Sequence, residues 1–156
     1  MIVRQASPEE AHRLWSIRNQ ALRFGCQRIY PSDVLAAWTP DQMPASFPAM
    51  IRANPFFVID SPDGAPVATG ALDLAAASVE AIFTLPDFTG QGMAGLIIDT
   101  IKSEARQRGY RQLTLASTPN AVSFYEQHGF QSRGESLYPS KLAGSALRCF
   151  EMAIDL

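Results

Sequence analysis

The sequence is short of the residues that build metal and disulfide sites. In 156 residues there are two cysteines and two histidines. Cys26 and Cys149 lie far apart without metal-type spacing, and His12 and His128 add little to the soft-ligand supply. Two thiols cannot build a disulfide scaffold, so both are expected to be buried and reduced, and no metal is expected. Long apolar runs are missing as well. Nothing approaches ~18 uninterrupted apolar residues, and the N-terminal MIVRQASPEEAHRLW has no h-region of signal-peptide type. From these absences a soluble, cytoplasmic protein with no membrane partner is expected. Excess charge is also lacking. Lysine and arginine number 13 against 15 aspartates and glutamates, a net charge of −2, and no basic run exceeds a pair of residues. That leaves no electrostatic footprint for nucleic acid.

Apolar residues make up 47% and charged residues 18%, which is enough for a proper core. The length suits one domain over residues 1–156, and the composition excludes collagen-like, low-complexity and largely disordered chains. Met1 to Gln5 reads as a short strand. Ser7-Pro8-Glu9-Glu10 then signals a helix start, with Ser7 as N-cap, Pro8 at N1 and Glu10 as capping-box partner. Leu14, Ile17, Ala21, Leu22 and Phe24 supply its apolar stripe, and Gly25 is placed to stop it. Tyr30-Pro31-Ser32-Asp33 opens a second helix over Val34, Leu35, Ala37 and Trp38. Thr39 to Asn54, punctuated by prolines, reads as short helical turns.

From Phe56 the pattern becomes β-rich. Phe56 to Ile59 is a strand, Ser61-Pro62-Asp63-Gly64 a turn, Val67 to Leu74 its partner, and Val79 to Leu85 a third strand. Gly92 to Arg108 is a helix with Leu96, Ile97, Ile101 and Ala105 on one face. Gln112 to Leu115 is a strand, Ala121 to His128 a short helix with Gly129 at C′, and strands near Phe130–Glu135 and Leu147–Ile154 end the chain. The order is β-α-α-β-β-β-α-β-α-β-β, with no internal repeat and no linker.

The most informative stretch is Glu80 to Gly95, a strand that runs into a glycine turn from which a helix begins at once. Glycines at 90, 92 and 95 let the backbone turn tightly and approach a ligand without Cβ interference. The first helical N–H groups lack intrahelical partners and carry partial positive charge, so phosphate is a natural occupant. A plain strand-to-helix turn is one alternative. A dinucleotide site is another, since Gly90-Gln91-Gly92-Met93-Ala94-Gly95 spells G-x-G-x-x-G. That fingerprint wants a carboxylate about 20 residues on, at the end of the next strand. Here that strand ends Leu115-Ala116-Ser117-Thr118, and too little chain remains for a doubly wound sheet. A phosphate-binding P-loop fails because Leu96 and Ile97 follow Gly95 where Lys and Ser or Thr are needed.

Downstream, Ser117-Thr118-Pro119-Asn120-Ala121-Val122-Ser123-Phe124-Tyr125-Glu126-Gln127-His128-Gly129-Phe130 sets Asn at a helix start and Tyr one turn in. Together with the glycine turn, this signature resembles the GNAT acetyltransferase superfamily, which has the form Arg/Gln-x-x-Gly-x-Gly/Ala, a strand, then an Asn-Ala…Phe-Tyr…Gly-Phe helix. The element order is also that superfamily's, so the resemblance covers nearly the whole chain. It implies an α/β fold with a mixed, largely antiparallel sheet flanked by helices, and an acetyl-coenzyme A-dependent N-acetyltransferase. It further implies that Thr89, Gly90, Gln91, Gly92, Met93 and Ala94 form the turn that binds the cosubstrate's pyrophosphate. Phe83 and Thr84 match strand positions pairing with the pantetheine arm and acetyl carbonyl, Asn120 a contact near the amide arm, and Phe124 an apolar wall. Tyr125 matches the residue protonating the departing thiolate, and Glu80 a strand carboxylate acting as general base, usually through water. Thr89 departs from the usual Arg or Gln, which implies weaker phosphate binding.

Acetyl transfer from a thioester to an amine needs a proton acceptor for the amine, donors for the tetrahedral oxyanion and an acid for the thiolate. Direct transfer needs no covalent enzyme intermediate, so neither cysteine requires a catalytic role. Plain alternatives are packing for Tyr125, a solvated carboxylate for Glu80 and an N-cap for Asn120, while His128 reads as a surface residue near a helix C-terminus. The resemblance implies an acceptor site walled by Arg28, Tyr30, Asp33, Trp38, Phe47 and Tyr138, suited to a small-molecule or peptide amine on an apolar body. Asp33 and Glu80 could attract a cation there. A non-catalytic acyl-coenzyme A-binding or regulatory domain is the alternative function. Late strands with exposed edges leave a homodimer open.

Overall fold

Phe56-Phe57-Val58-Ile59 shows how the layers form. Phe57 and Ile59 point into one core cluster and Phe56 and Val58 into another, so this strand is covered on both faces and has no polar side. The computed structural model describes residues 1–156, with strands β1 (Val3–Gln5), β2 (Phe56–Asp60), β3 (Pro66–Asp73), β4 (Ser78–Thr84), β5 (Gln112–Ser117), β6 (Gln131–Ser140) and β7 (Ser145–Asp155). They form one sheet in the order β1-β2-β3-β4-β5-β7-β6, antiparallel throughout except for β4 beside β5. The helices are α1 (Ala11–Gly25), α2 (Ser32–Trp38), α3 (Phe47–Ala53), α4 (Met93–Gln107) and α5 (Val122–Gln127). The expected mixed, largely antiparallel α/β architecture is the one observed.

Helices α1 and α3 cover one face of the sheet, where Leu14, Trp15, Phe47 and Ile51 meet Phe56, Val58 and Ala71. Helix α4 covers the other, where Ile97, Ile98, Ile101 and Ala105 are fully buried against Phe57, Ile59, Leu72 and Val79. Each such isoleucine contributes roughly 1.5–3 kcal/mol of burial free energy. Two apolar assignments from periodicity are corrected. Leu96 and Phe24 remain 38% and 59% exposed, and Ile98 and Trp15 occupy the buried positions instead. In α4 the buried stripe runs 93, 97, 98, 101, 105, so Leu96 falls just off it. The stretch read as helical turns over Thr39 to Asn54 contains one regular helix, α3, with Pro48 in its first turn where its missing N–H costs nothing. Both cysteines are free and buried.

The N-terminal capping signal serves as a clamp. The Glu10 carboxylate accepts the Ser7 backbone N–H at 3.0 Å and also binds Arg4, whose other contacts reach Asp60 on β2. One guanidinium therefore ties β1, the start of α1 and the sheet together.

Two features at the centre of the sheet matter for function. Strands β4 and β5 are joined by a single parallel pair, Ser78 with Thr114, and then diverge. Beyond it β5 pairs only with β7, which leaves one edge of β4 from Glu80 onward open in mid-sheet. The second feature is a bulge. Thr69 pairs with Phe83 and Ala71 with Glu80, so Ala81 and Ile82 together face Gly70. Ala81 sits at φ +57°, a left-handed conformation costing about 1–2 kcal/mol for a residue with a Cβ. The bulge puts Val79 and Ile82 on the same α4-facing side, although strict alternation would separate them.

Candidate active site

Strand β4 delivers the carboxylate and α5 the phenol. Because the bulge holds Val79 and Ile82 toward α4, Glu80 and Ala81 turn to the α1 side, and Ala81 packs against the Trp15–Phe47 cluster. Glu80 accepts a hydrogen bond from Ser78 Oγ at 2.8 Å. Glu80 is an exposed residue whose carboxylate end is partly desolvated beside Ser78. That partial desolvation pushes its pKa above the ordinary carboxylate value, opposed by Ser78 and reinforced by Asp73. Tyr125 is 9% exposed and packs edge-on to Phe124 and Phe130. Burial raises the pKa of its hydroxyl above the ordinary phenol value, and the charge of Glu80 raises it further. The Tyr125 hydroxyl bonds no protein group, but it is not sealed in. Thr69 Oγ1 is the only fully enclosed side-chain polar atom without a partner.

The glycine turn keeps its donors free. Gly90 and Gly92 have φ of +77° and +85°, and a Cβ at either would point into open space. Backbone N–H groups from Gly90 through Gly95 have no acceptor within the protein; the first helical bond is Leu96 N–H to the Gly92 carbonyl at 3.1 Å. No side chain caps this end of α4. Gly95 does something else. A Cβ there would lie 2.9 Å from His128 Cε1, so this glycine lets α5 dock on α4. His128 is accordingly half-buried between Gly95 and Phe124, not on the open surface.

Phe83 and Thr84 lie half-exposed at the end of β4, and Thr89, Gln91 and Asn120 are exposed. Thr89 Oγ1 donates to the Pro86 carbonyl at 3.0 Å. Asn120 turns its side chain toward the end of α1, with Oδ1 3.6 Å from Cys26 Sγ. Burial raises the Cys26 thiol to about 11, so it stays protonated and non-nucleophilic at neutral pH.

On the acceptor side, Tyr30 is 8% exposed, donates its hydroxyl to the Arg148 carbonyl at 2.7 Å and packs edge-on to Trp38 at 5.7 Å. Asp33 is exposed in the first turn of α2 and Arg28 is exposed beyond α1. Phe47 is no wall of a binding site. It lies in the core between Trp15 and Phe56, with ring centroids 5.4 and 6.1 Å away. Ser78, Ala81 and Gly70 were not anticipated. A Cβ on Gly70 would meet Ile82 and Ile97 at 2.5 Å, so α4 rides close over β3 opposite the bulge.

A family model described as "Acetyltransferase (GNAT) domain" matches residues 10–145, most of the chain. The chain belongs to the GNAT acetyltransferase family. Among curated relatives, an uncharacterized acetyltransferase of Streptococcus pyogenes serotype M1 is 38% identical over 73 residues, 44% of this chain and 51% of that protein. The chain thus spans about half the length of the curated relatives it matches. Among solved structures, a GCN5-related N-acetyltransferase from Rhodopseudomonas palustris superposes with a TM-score of 0.88 at 21% identity, covering 99% of this chain and 95% of that one. The PaiA N-acetyltransferase from Thermoplasma acidophilum, solved with coenzyme A, gives 0.77 at 15% identity, with 99% and 98% covered. YncA of Salmonella typhimurium, solved with acetyl-CoA, gives 0.71 at 18%, with 100% and 94% covered. At these identities the likeness is one of fold, and the GNAT fold is what this chain shares with them. No helix is long and apolar enough to cross a membrane.

Proposed function

We propose that this GNAT domain is an N-acetyltransferase that moves the acetyl group of acetyl-CoA directly to a primary amine on a small molecule or peptide. The observation that carries this reading is the row of unpaired backbone N–H groups from Gly90 to Gly95 beside the open edge of β4. Those donors suit a diphosphate without any cationic side chain, because the helix dipole and the fixed amides supply the positive potential. Gly90, Gln91, Gly92, Met93 and Ala94 would hold the phosphates, with Thr89 at the turn's entrance. Phe83, Thr84, Asn120 and Phe124 would flank the arm along the opening. Acetyl-CoA supplies the activated acyl thioester.

Glu80 takes up the amine proton, directly or through water. Its raised pKa brings its basicity closer to that needed near neutral pH. Tyr125 stays a neutral phenol throughout the physiological range and donates a hydrogen bond to the sulfur as the C–S bond breaks. Since burial lifts its pKa well above that of a thiol, about 8.5, the phenol stabilises the leaving thiolate by that hydrogen bond, and the proton that Glu80 takes from the amine returns to solvent, from which the thiolate is protonated. The β4 backbone near the bulge offers the oxyanion its donors.

Calorimetry with acetyl-CoA, followed by thiol release across a panel of amines, tests the reading. Binding with turnover is the expected result; no binding near millimolar acetyl-CoA refutes it. Binding without thiol release from any amine would instead favour a non-catalytic acyl-CoA-binding domain.

A further inference from the structure

Arg18 is a cation without a counter-ion. It occupies the α1 position one turn from Leu14 and one turn from Leu22. Leu14 belongs to the cluster that holds Ala81, and Leu22 to the cluster that holds Phe83. Arg18 therefore faces the same side of β4 as Glu80, between the two apolar clusters. Its guanidinium carbon lies 4.2 Å from the ring centroid of Trp15 and 5.6 Å from that of Trp38, so aromatic planes flank it. Arg4, Arg23, Arg108 and Arg148 each meet a carboxylate; Arg18 is one of several arginines that meet none, and it stands out among them by lying half-buried against two tryptophans.

The bonds that Arg18 does make leave one edge bare. Nη1 donates to Asn19 Oδ1 at 2.8 Å and to the Trp38 carbonyl at 2.9 Å. Nε and Nη2 have no acceptor in the protein, and neither is fully enclosed. Those two nitrogens form the side edge of the guanidinium, whose parallel N–H bonds match the two oxygens of a carboxylate. Burial lowers the pKa of Arg18 to about 10, opposed by Tyr138 of β6, and the group remains charged at neutral pH. A half-buried, unpaired charge is unfavourable without a partner. No carboxylate of the protein lies within ion-pair distance of it, and Asp41, which follows α2, binds Arg23 instead.

We propose that Arg18 is the anion-binding residue of the acceptor site, and that the acceptor is an amine that also carries a carboxylate. The carboxylate docks on the Nε/Nη2 edge between Trp15 and Trp38, while the amine is presented toward Glu80 on β4. The arrangement suits a zwitterion, with a cationic group on α1 and an anionic group on β4 that do not pair with each other. This identification of the acceptor rests on the N-acetyltransferase reading above, whereas the carboxylate site itself does not.

Matched pairs separate the two. Free L-amino acids and their carboxamides share size and amine but differ in the anion. In thiol-release assays with acetyl-CoA, the wild type is expected to favour the carboxylates over the carboxamides at least 10-fold in kcat/KM. Arg18→Gln should bring that ratio near one, and Arg18→Lys, which keeps charge but not the fork, should leave an intermediate ratio. Circular dichroism and thermal unfolding confirm that both variants fold; if Arg18→Gln does not, the Arg18→Lys ratio decides. A second arm needs no turnover. N-acetyl-L-phenylalanine and its carboxamide are titrated calorimetrically into wild type and variants. Binding of the carboxylate only, weakened at least 10-fold in Arg18→Gln and by less in Arg18→Lys, supports the site even if no amine is acetylated, an outcome in which the transferase reading alone fails. Equal handling of carboxylates and carboxamides by the wild type overturns the proposal, as does a preference that survives unchanged in both variants. Absence of any carboxylate binding at millimolar concentration overturns it too.

Discussion

Gly95→Ala is the sharpest test of how the two helices of the site are joined. Within a helix alanine is favoured over glycine by up to about 1 kcal/mol, and although Gly95 lies in the first turn of α4 the change alone should stabilise the helix. The structure opposes that gain. The new Cβ would stand 2.9 Å from His128 Cε1 and 3.3 Å from Nε2. The imidazole has little room to retreat, because Phe124 lies 4.7 Å away by ring centroids and Lys102 Nζ donates to the His128 carbonyl. Overpacking of this kind costs about 1–3 kcal/mol. The net expectation is a loss of about 1 kcal/mol in the wild-type background. In a His128→Ala background the obstruction is gone, and Gly95→Ala should stabilise by about 1 kcal/mol. Urea unfolding of all four proteins measures both values, and their difference is a coupling of about 2 kcal/mol. The same sign in both backgrounds would refute the docking role. Acetyl-CoA affinity adds a second readout: if Gly95 were instead a place where the ligand approaches the backbone, Gly95→Ala would weaken binding equally whether or not His128 is present.

Three further outcomes follow from the site and its clamp. Tyr125→Phe should lower kcat by about 10²-fold or more while leaving acetyl-CoA affinity near wild type, since the hydroxyl engages no protein group; near-wild-type kcat would remove Tyr125 from the chemistry. Glu80→Gln should abolish the acid limb of the kcat/KM profile, which in the wild type lies above the ordinary carboxylate range because Glu80 must lose its proton to act and its pKa is raised. A profile that keeps that limb in the variant assigns it to another group. Glu10 has a folded pKa held low chiefly by its hydrogen bonds with Arg4, so its contribution to stability is present above the unfolded carboxylate value and lost as pH falls through the folded one. Acid unfolding of Glu10→Gln should therefore show a shallower loss of stability over that window than the wild type, and identical slopes would show that the clamp carries no pH dependence.

Sequence order and turn chemistry made most of this fold legible, because the signals are local. Ser7 and Glu10 mark a helix start within four residues, and Gly129, at φ +93°, stands where the chain must leave α5. Gly90 and Gly92 announce the turn that opens α4 for the same reason: a left-handed backbone favours glycine. Leu96 and Phe24 were misplaced because periodicity gives the direction of a stripe but not its width, which the neighbouring sheet decides. Arg18 could not be singled out by any local pattern. A charged residue in a helix is ordinary, and only the folded chain shows that no carboxylate reaches it while two tryptophans do.

The bulge is the feature on which the site's geometry turns, and it is the least visible in the sequence. Ala81 adopts a glycine-like φ with no glycine to mark it. What sustains this conformation is long-range: Gly70 across the ladder leaves room for Ile82, and Ile82 then joins Ile97 beneath α4. Had β4 alternated strictly after Val79, Ile82 would turn toward α1 and the α4 core would lose a side chain. Ile82 is half-buried, so it contributes only part of the roughly 1.5–3 kcal/mol of a fully buried isoleucine, an amount comparable to the cost of about 1–2 kcal/mol for the left-handed alanine. The hydrophobic core therefore supports the irregular strand. That same irregularity follows directly on Glu80, at the opening where β5 has already diverged.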